Sequence, residues 1–174
     1  PEMKSTGEVM GISETFGQSF RRASISAGNE IPSSGTAFIS VNDADKLNVI
    51  PIARDLYEIG FDILATSGTA QELRKNGIPA DSIFKVGEGR PNVVDRIKND
   101  EINLVINTPL GPKSRYDEEA IGRACIQKSI MAITPFWSRS YGAGYSFDKS
   151  NHSVKIYPGI SSLNFLFAYS EIIQ

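Results

Sequence analysis

The chain has 174 residues, of which 40% are hydrophobic, and this is enough for one domain with a sizeable core and additional segments. Its formal net charge of -2 argues against nucleic acid or an acidic membrane surface as a partner. The single cysteine, Cys125, excludes an internal disulfide, and the single histidine, His152, leaves no metal cluster.

The N-terminal sequence indicates what kind of protein the chain comes from. No stretch is apolar over the roughly 18 residues that a membrane span needs, and the polar start PEMKSTGEVMG is unlike a signal peptide. Because this start also lacks an initiator methionine, we expect a fragment of a longer, cytoplasmic protein.

The first predicted element is a helix over residues 14–27, with Phe16, Phe20 and Ala23 on one face. A stretch rich in Gly, Pro and Ser, residues 28–35, has the composition of a linker. We therefore place a domain boundary at the end of residues 1–34.

A strand over residues 36–41 and a helix come next. Asn42 and the aspartates that follow it are residue types that cap helices. Pro51 fits this helix only in its first turn, where the missing N–H has no partner in any case. Gly60 is in a typical position to end the helix. The apolar face predicted for it consists of Val49, Ile50, Ala53, Leu56 and Tyr57.

The stretch FDILATSGT, residues 61–69, predicts a buried strand followed by a phosphate-binding loop. Thr66, Ser67 and Thr69 supply hydroxyls, and Gly68 lets backbone N–H groups approach a ligand. A helix over residues 70–76 follows, so a phosphate would meet a helix N-terminus. The alternative is that the two threonines only cap this helix.

The remaining elements alternate in the same way. Asn92 is a candidate helix cap, and the strand over residues 102–106 is the clearest buried strand of the chain. The predictions are a strand over 83–86, a loop over 87–91, a helix over 93–99, a strand over 102–106 ending at Asn107-Thr108-Pro109, a helix over 117–128 and a strand over 130–134.

Strands that alternate with helices predict an α/β domain of three layers, a parallel sheet of about five strands with helices on both faces. Ligands of such sheets bind beyond the carboxyl ends of the strands. Those ends here are residues 42–46, 66–69, 85–90 and 107–111, which carry hydroxyls, amides, glycines and two lysines. This composition suits a phosphate monoester. The lysines could also be ordinary solvated charges, and Asn107-Thr108-Pro109 only a turn.

Two stretches resemble a known family. Residues 2–11, EMKSTGEVMG, resemble the end of the second ATP-grasp unit in the large subunit of carbamoyl phosphate synthetase. Residues 35–134 resemble its C-terminal regulatory domain, of methylglyoxal-synthase-like, Rossmann-type fold. The matching motifs are SVNDADK (40–46), ATSGTA (65–70), KVGEGRPNVVDRI (85–97) and VINTP (105–109). The resemblance covers about three quarters of the chain.

The resemblance implies an allosteric domain that binds a nucleotide of the UMP or IMP type and has no catalytic or metal-binding residue of its own. In the parent enzyme, ATP and a divalent metal belong to the ATP-grasp units, and a glutaminase small subunit is the partner. Synthesis of carbamoyl phosphate would serve the pyrimidine and arginine pathways. The residues expected to contact the nucleotide are Lys46, Thr66, Gly68, Thr69, Lys85, Asn107 and Thr108.

The chain departs from the family pattern in three places. Pro109 replaces a common threonine, and Ala132 replaces a tyrosine linked to ornithine activation, which we therefore do not expect. From Pro135 the pattern is lost: nine of the 16 aromatic residues and only five charged residues follow Thr134. A reading-frame change would explain this divergent tail, residues 135–174.

Two other functions stay open. One is a methylglyoxal-synthase-like lyase acting on dihydroxyacetone phosphate, although the loop over 87–91 lacks the aspartate that this chemistry needs. The other is a remnant that binds no ligand and contacts only its parent enzyme.

Overall fold

The computed structural model describes residues 9–28, 31–108, 115–133, 145–148 and 153–156. The described residues fall into two units, one within residues 32–136 and one formed by parts of the two terminal segments. The helices are α1 (Phe16–Ser26), α2 (Lys46–Ile59), α3 (Ser67–Lys75), α4 (Val93–Lys98) and α5 (Arg115–Lys128). The strands are β1 (Gly35–Val41), β2 (Phe61–Thr66), β3 (Asp81–Ile83), β4 (Leu104–Thr108), β5 (Met131–Ile133), β6 (Tyr145–Asp148) and β7 (Ser153–Ile156).

The larger unit is built on a five-stranded sheet in the order β3-β2-β1-β4-β5. Every neighbouring pair in it is parallel. The chain runs outward from β1 to β3 and then returns to place β4 on the other side of β1. The strand order therefore reverses between β1 and β4, and this confirms the predicted α/β class with a parallel sheet.

Strand alternation divides the buried side chains between two layers. Phe38 is level with Leu64 on one side and Val105 on the other. These three side chains form one core with α4 and α5, through Val93, Ile97, Ile121 and Ala124. The strand residues that alternate with these three are also buried, and their side chains lie on the face of the sheet that packs against α2 and α3. Helices on both faces complete the three predicted layers.

Helix α2 differs from its prediction in two respects. Its buried face is Val49, Ile52, Ala53 and Leu56, whereas Tyr57 is 46% exposed. Ile50 is only partly buried, so the predicted face was wrong at these two positions. Pro51 lies inside the helix, beyond its first turn. Gly60 ends the helix with φ of 109°, which confirms that prediction.

Several element boundaries also shift. β3 ends at Ile83, so Lys85 lies beyond the strand, and a single bridge joins Phe84 to Asn92. β4 runs to Thr108 and includes Asn107. Asp43–Asp45 forms a 3-10 turn before α2. These shifts leave the order of elements as predicted and move two candidate site residues into a strand.

The smaller unit contains α1, confirming the predicted lead-in helix, and an antiparallel pair of strands, β6 and β7. Thr15 caps α1 by accepting a hydrogen bond from Gln18 N. None of the described helices is both long and apolar enough to cross a bilayer. The predictions that concern residues 2–8, Pro109, Thr134 and most of the tail fall outside the described residues.

Candidate functional site

The N-terminus of α3 has no side-chain cap. Thr66 ends β2 and occupies the N-cap position, but its side chain makes no capping hydrogen bond within the described part of the chain. Its hydroxyl instead donates to Thr69 Oγ1 at 3.2 Å, and both threonines are buried. No side chain among the described residues therefore accepts from the first-turn N–H groups of α3, which leaves these donors for an anion.

The N-terminus of α4, a helix that packs on the same sheet, is closed by side-chain hydrogen bonds. Asn92 Oδ1 accepts hydrogen bonds from Val94 N at 3.0 Å and Asp95 N at 3.2 Å. The Asp95 carboxylate accepts in return from Asn92 N at 3.1 Å. This capping box satisfies the donors that α3 leaves open, so the prediction that Asn92 caps this helix is confirmed.

Lys46 brings a positive charge to the open end of α3. It is the first residue of α2, and its ammonium lies so near Gly68 that a Cβ atom there would be 3.2 Å from Lys46 Nζ. The absence of a side chain at Gly68 thus provides the space for this approach. The same ammonium forms an ion pair with Asp43 Oδ1 at 2.6 Å.

Lys85 acts electrostatically on both sides of the site. The Lys46 hydrogen bond and charge lower the pKa of Asp43, and the charge of Lys85 adds a smaller lowering. On α5, burial raises the pKa of Asp117, which Lys85 partly offsets and Glu88 reinforces. Lys85 is therefore near enough to influence a carboxylate of the 3-10 turn and one of α5.

Asn107 and Thr108 come from the end of β4 and are both buried. By strand alternation, the Asn107 side chain starts from the same face as Val105, and that of Thr108 from the opposite face. The two residues therefore approach the sheet edge from different sides. Their part in ligand binding, like that of the five other candidate residues, stays a prediction.

Asn42 connects β4 to the 3-10 turn before α2. The sequence predicted that Asn42 is a capping residue type, but it did not reveal this connection. Its backbone N–H donates to Thr108 O at 3.2 Å, and its Nδ2 donates to Asp45 Oδ2 at 2.5 Å. Its Oδ1 accepts from Ala44 N, so it caps the turn that leads to Lys46. The signal for this role is its position directly after the central strand, where the sheet order reverses.

The carboxyl ends of β1 and β4 are adjacent, since Val41 is level with Thr108. Ligands of open α/β sheets bind beyond such a reversal of strand order. A cavity of about 600 Å³ begins at Val86, the residue that follows Lys85. Its lining residues are Val86, Gly87, Gly89, Arg90, Asn92, Val94, Asp95, Lys98, Tyr116 and Ala120.

Metal binding and thiol chemistry were considered as well for the described residues. Among the described residues, no group of three or more His, Cys, Asp and Glu side chains is placed to hold a metal ion. Cys125 is buried in the core, and this burial raises the pKa of its thiol to about 11. A thiol with such a pKa is a poor nucleophile at neutral pH.

Comparison with known proteins assigns the family. The family model for the MGS-like domain matches residues 48–134, half of the chain. The chain belongs to the MGS-like domain family. The matched region contains β2 to β5 and most of α2, and it holds six of the seven candidate residues, with Lys46 two positions before it.

The chain with this MGS-like domain spans less than a third of the length of the relatives that it matches. The chain is 54% identical to the carbamoyl phosphate synthase large chain of Acidobacterium capsulatum, over 77% of this chain and 12% of the relative. It is 53% identical to the C-terminal section of that large chain in Methanopyrus kandleri, over 77% of this chain and 25% of the relative. The C-terminal section from Aquifex aeolicus is 46% identical over 89% of this chain and 28% of the relative.

Proposed function

We propose that this MGS-like domain binds a nucleoside monophosphate of the UMP or IMP type and regulates a carbamoyl phosphate synthase large chain of which it is part. The observation that carries the proposal is the open N-terminus of α3 with the Lys46 ammonium beside Gly68. A dianionic phosphate is the chemical group that this combination of N–H donors, hydroxyls and positive charge fits.

The phosphate would bind to the first-turn N–H groups of α3 and to the hydroxyls of Thr66 and Thr69. Lys46 and Lys85 would supply two positive charges, matching the two negative charges of a phosphate monoester. Both strand ends next to β1 would then contribute, because Asn107 lies one position before the end of β4. In this proposal the residues bind the phosphate, and none of them is assigned a catalytic role.

The nucleoside would extend from the phosphate past Lys85 into the cavity bounded by the Val86–Arg90 loop and α5. At about 600 Å³, this cavity is in the range of small-molecule sites. Tyr116 and Val86 offer apolar surface for a base. A mononucleotide therefore accounts for both the phosphate site and the space beside it.

Regulation requires the rest of the enzyme. In the whole synthase, the ATP-grasp units would carry the ATP, divalent metal and ligase chemistry, and a glutaminase small subunit would supply ammonia. The effector would change the rate by binding two conformations of the cytoplasmic enzyme with different affinity. Carbamoyl phosphate, the product of the synthase, would enter pyrimidine and arginine synthesis.

Calorimetric titration of this chain with UMP and with IMP tests the binding step. We expect one nucleotide per chain and competition by inorganic phosphate. If neither nucleotide binds the folded chain at millimolar concentration, the proposal is wrong and a remnant without ligand is the better account. Release of phosphate from dihydroxyacetone phosphate by the purified chain would favour a lyase instead.

A further inference from the structure

We propose that Asp43 is an internal competitor of the effector phosphate: its carboxylate occupies Lys46 in the free protein and must leave before the phosphate can bind there. The inference rests on the proposed function, because it concerns the same phosphate site. It assigns to Asp43 the role of setting the affinity of that site.

The ion pair places the Lys46 ammonium between the Asp43 carboxylate and the open end of α3. Lys46 Nζ lies 2.6 Å from Asp43 Oδ1 and would be 3.2 Å from a Cβ atom of Gly68. The ammonium is thus shared between the 3-10 turn and the open end of α3. A phosphate bound to α3 would lie beside the Asp43 carboxylate at the same ammonium, and the two negative charges would repel each other.

The exposure of the two partners indicates which one moves. The Asp43 side chain is 93% exposed, whereas that of Lys46 is 26% exposed. The carboxylate can therefore turn into water without losing buried contacts, while Lys46 stays beside Gly68. Hydration of the released carboxylate offsets much of the lost ion pair, so its release costs little free energy.

The neighbouring carboxylate of the same turn has a different role. Asp45 Oδ2 accepts a hydrogen bond from Asn42 Nδ2 at 2.5 Å and so helps to hold the turn against β4. Asp43 makes no such bond among the described residues, and its partner is the lysine. The charges of Lys46 and Lys85 both lower its pKa, so this one carboxylate experiences both lysines of the phosphate site.

The size of the effect follows from the strength of an exposed ion pair. Such pairs are modest, and one that must break on binding lowers the affinity of the competing ligand by about two- to five-fold. Replacing the carboxylate by a neutral amide of the same shape removes this competition. It also removes one negative charge next to the phosphate, which acts in the same direction.

The test compares Asp43→Asn with the unchanged chain and with Asp62→Asn as a control of equal charge. Asp62 is exposed and is the second residue of β2, at the amino end of the sheet, about 13 Å of strand away from Thr66. Calorimetric titrations with UMP and with IMP at fixed ionic strength give the three affinities. We expect Asp43→Asn to bind about two- to five-fold more tightly and Asp62→Asn to match the unchanged chain.

The other outcomes separate this inference from the proposed function. If the unchanged chain binds a nucleotide and Asp43→Asn binds it equally well or less tightly, Asp43 is not a competitor and only this inference fails. An equal gain in Asp62→Asn would assign the effect to net charge and would also overturn it. If none of the three proteins binds either nucleotide, the proposed function fails, and the inference fails with it.

Discussion

Helices α3 and α4 both follow a parallel strand of the same sheet, and both begin after a residue type that favours an N-cap, Thr66 or Asn92. Asn92 and Asp95 together close the start of α4 with reciprocal hydrogen bonds. Thr66 turns its hydroxyl to Thr69 and leaves the start of α3 without a side-chain cap. One helix start therefore stabilises the fold, and the other stays available to a ligand.

The difference follows from what each cap residue is bonded to. Within the capping box of α4, the N3 residue is an acid that reaches back to the backbone of Asn92. The corresponding residue of α3 is Thr69, whose buried hydroxyl accepts a hydrogen bond from the Thr66 hydroxyl. Because Thr66 makes no capping hydrogen bond within the described residues, the first N–H groups of α3 stay open, and Lys46 beside Gly68 adds a positive charge. The predictions below test this contrast.

The largest expected effect is on ligand affinity at the open end. Lys46→Ala should weaken binding of UMP or IMP by about 1.5–3 kcal/mol, roughly ten- to hundred-fold, because a charge-assisted bond to phosphate is lost. Lys75→Ala is the control, since Lys75 pairs with Glu72 at the other end of α3. Calorimetric titration measures both. Equal affinities for the two variants would remove Lys46 from the site.

The second prediction concerns stability at the closed end. Asn92→Ala should lower the free energy of unfolding by about 1–2 kcal/mol, because two backbone N–H groups of α4 lose their acceptor. Asn92→Asp keeps an acceptor oxygen and should cost less. Urea denaturation gives both values. A cost below about 0.5 kcal/mol for the alanine variant would contradict the capping role.

The third prediction separates affinity from stability at a single position. Gly68→Ala should weaken nucleotide binding by a few-fold, because the new methyl displaces Lys46 Nζ from its place 3.2 Å away. The same change should leave stability unchanged or raise it by up to ~1 kcal/mol, since alanine favours helix over glycine. Titration and urea denaturation of the same protein measure the two quantities.

Gly122→Ala is the matched control for this change. Gly122 lies in α5, and a Cβ atom there would meet no described atom within 4 Å beyond its chain neighbours and the backbone of its own helix. This variant should gain similar stability and keep the affinity of the unchanged chain. A loss of affinity equal to that of Gly68→Ala would show that the binding effect is not local to the phosphate site.

The smallest expected change is in the amide spectrum. On addition of UMP or IMP, the first-turn N–H signals of α3, at Gly68 and Thr69, should shift and exchange more slowly with solvent. Those of Val94 and Asp95 in α4 should keep their exchange rates, because Asn92 already accepts from both. Two-dimensional NMR of the labelled chain measures this. Equal protection of both helices would contradict the contrast between them.

The hydrophobic pattern of the sequence predicted most of the fold. Buried parallel strands are continuous apolar runs, and the segments after them are rich in glycine and polar residues. The apolar face of α2 was harder to predict. Several apolar residues are interleaved there, and two overlapping faces fit the helical period. Packing against the sheet selected Ile52 over Ile50 and Tyr57, since only one face of the helix meets the strands.

The sequence by itself determined the five strands of the parallel sheet, the glycine and hydroxyl residues at the junction of β2 and α3, and the capping type of Asn92. These are local properties, set by hydrophobic runs and by the hydrogen-bonding groups of single side chains. Only the tertiary structure decided that β4 returns beside β1, that Asn42 contacts Thr108 and that Lys46 reaches Gly68. Those facts depend on distances between residues far apart in the chain, which strand pairing and helix packing bring together.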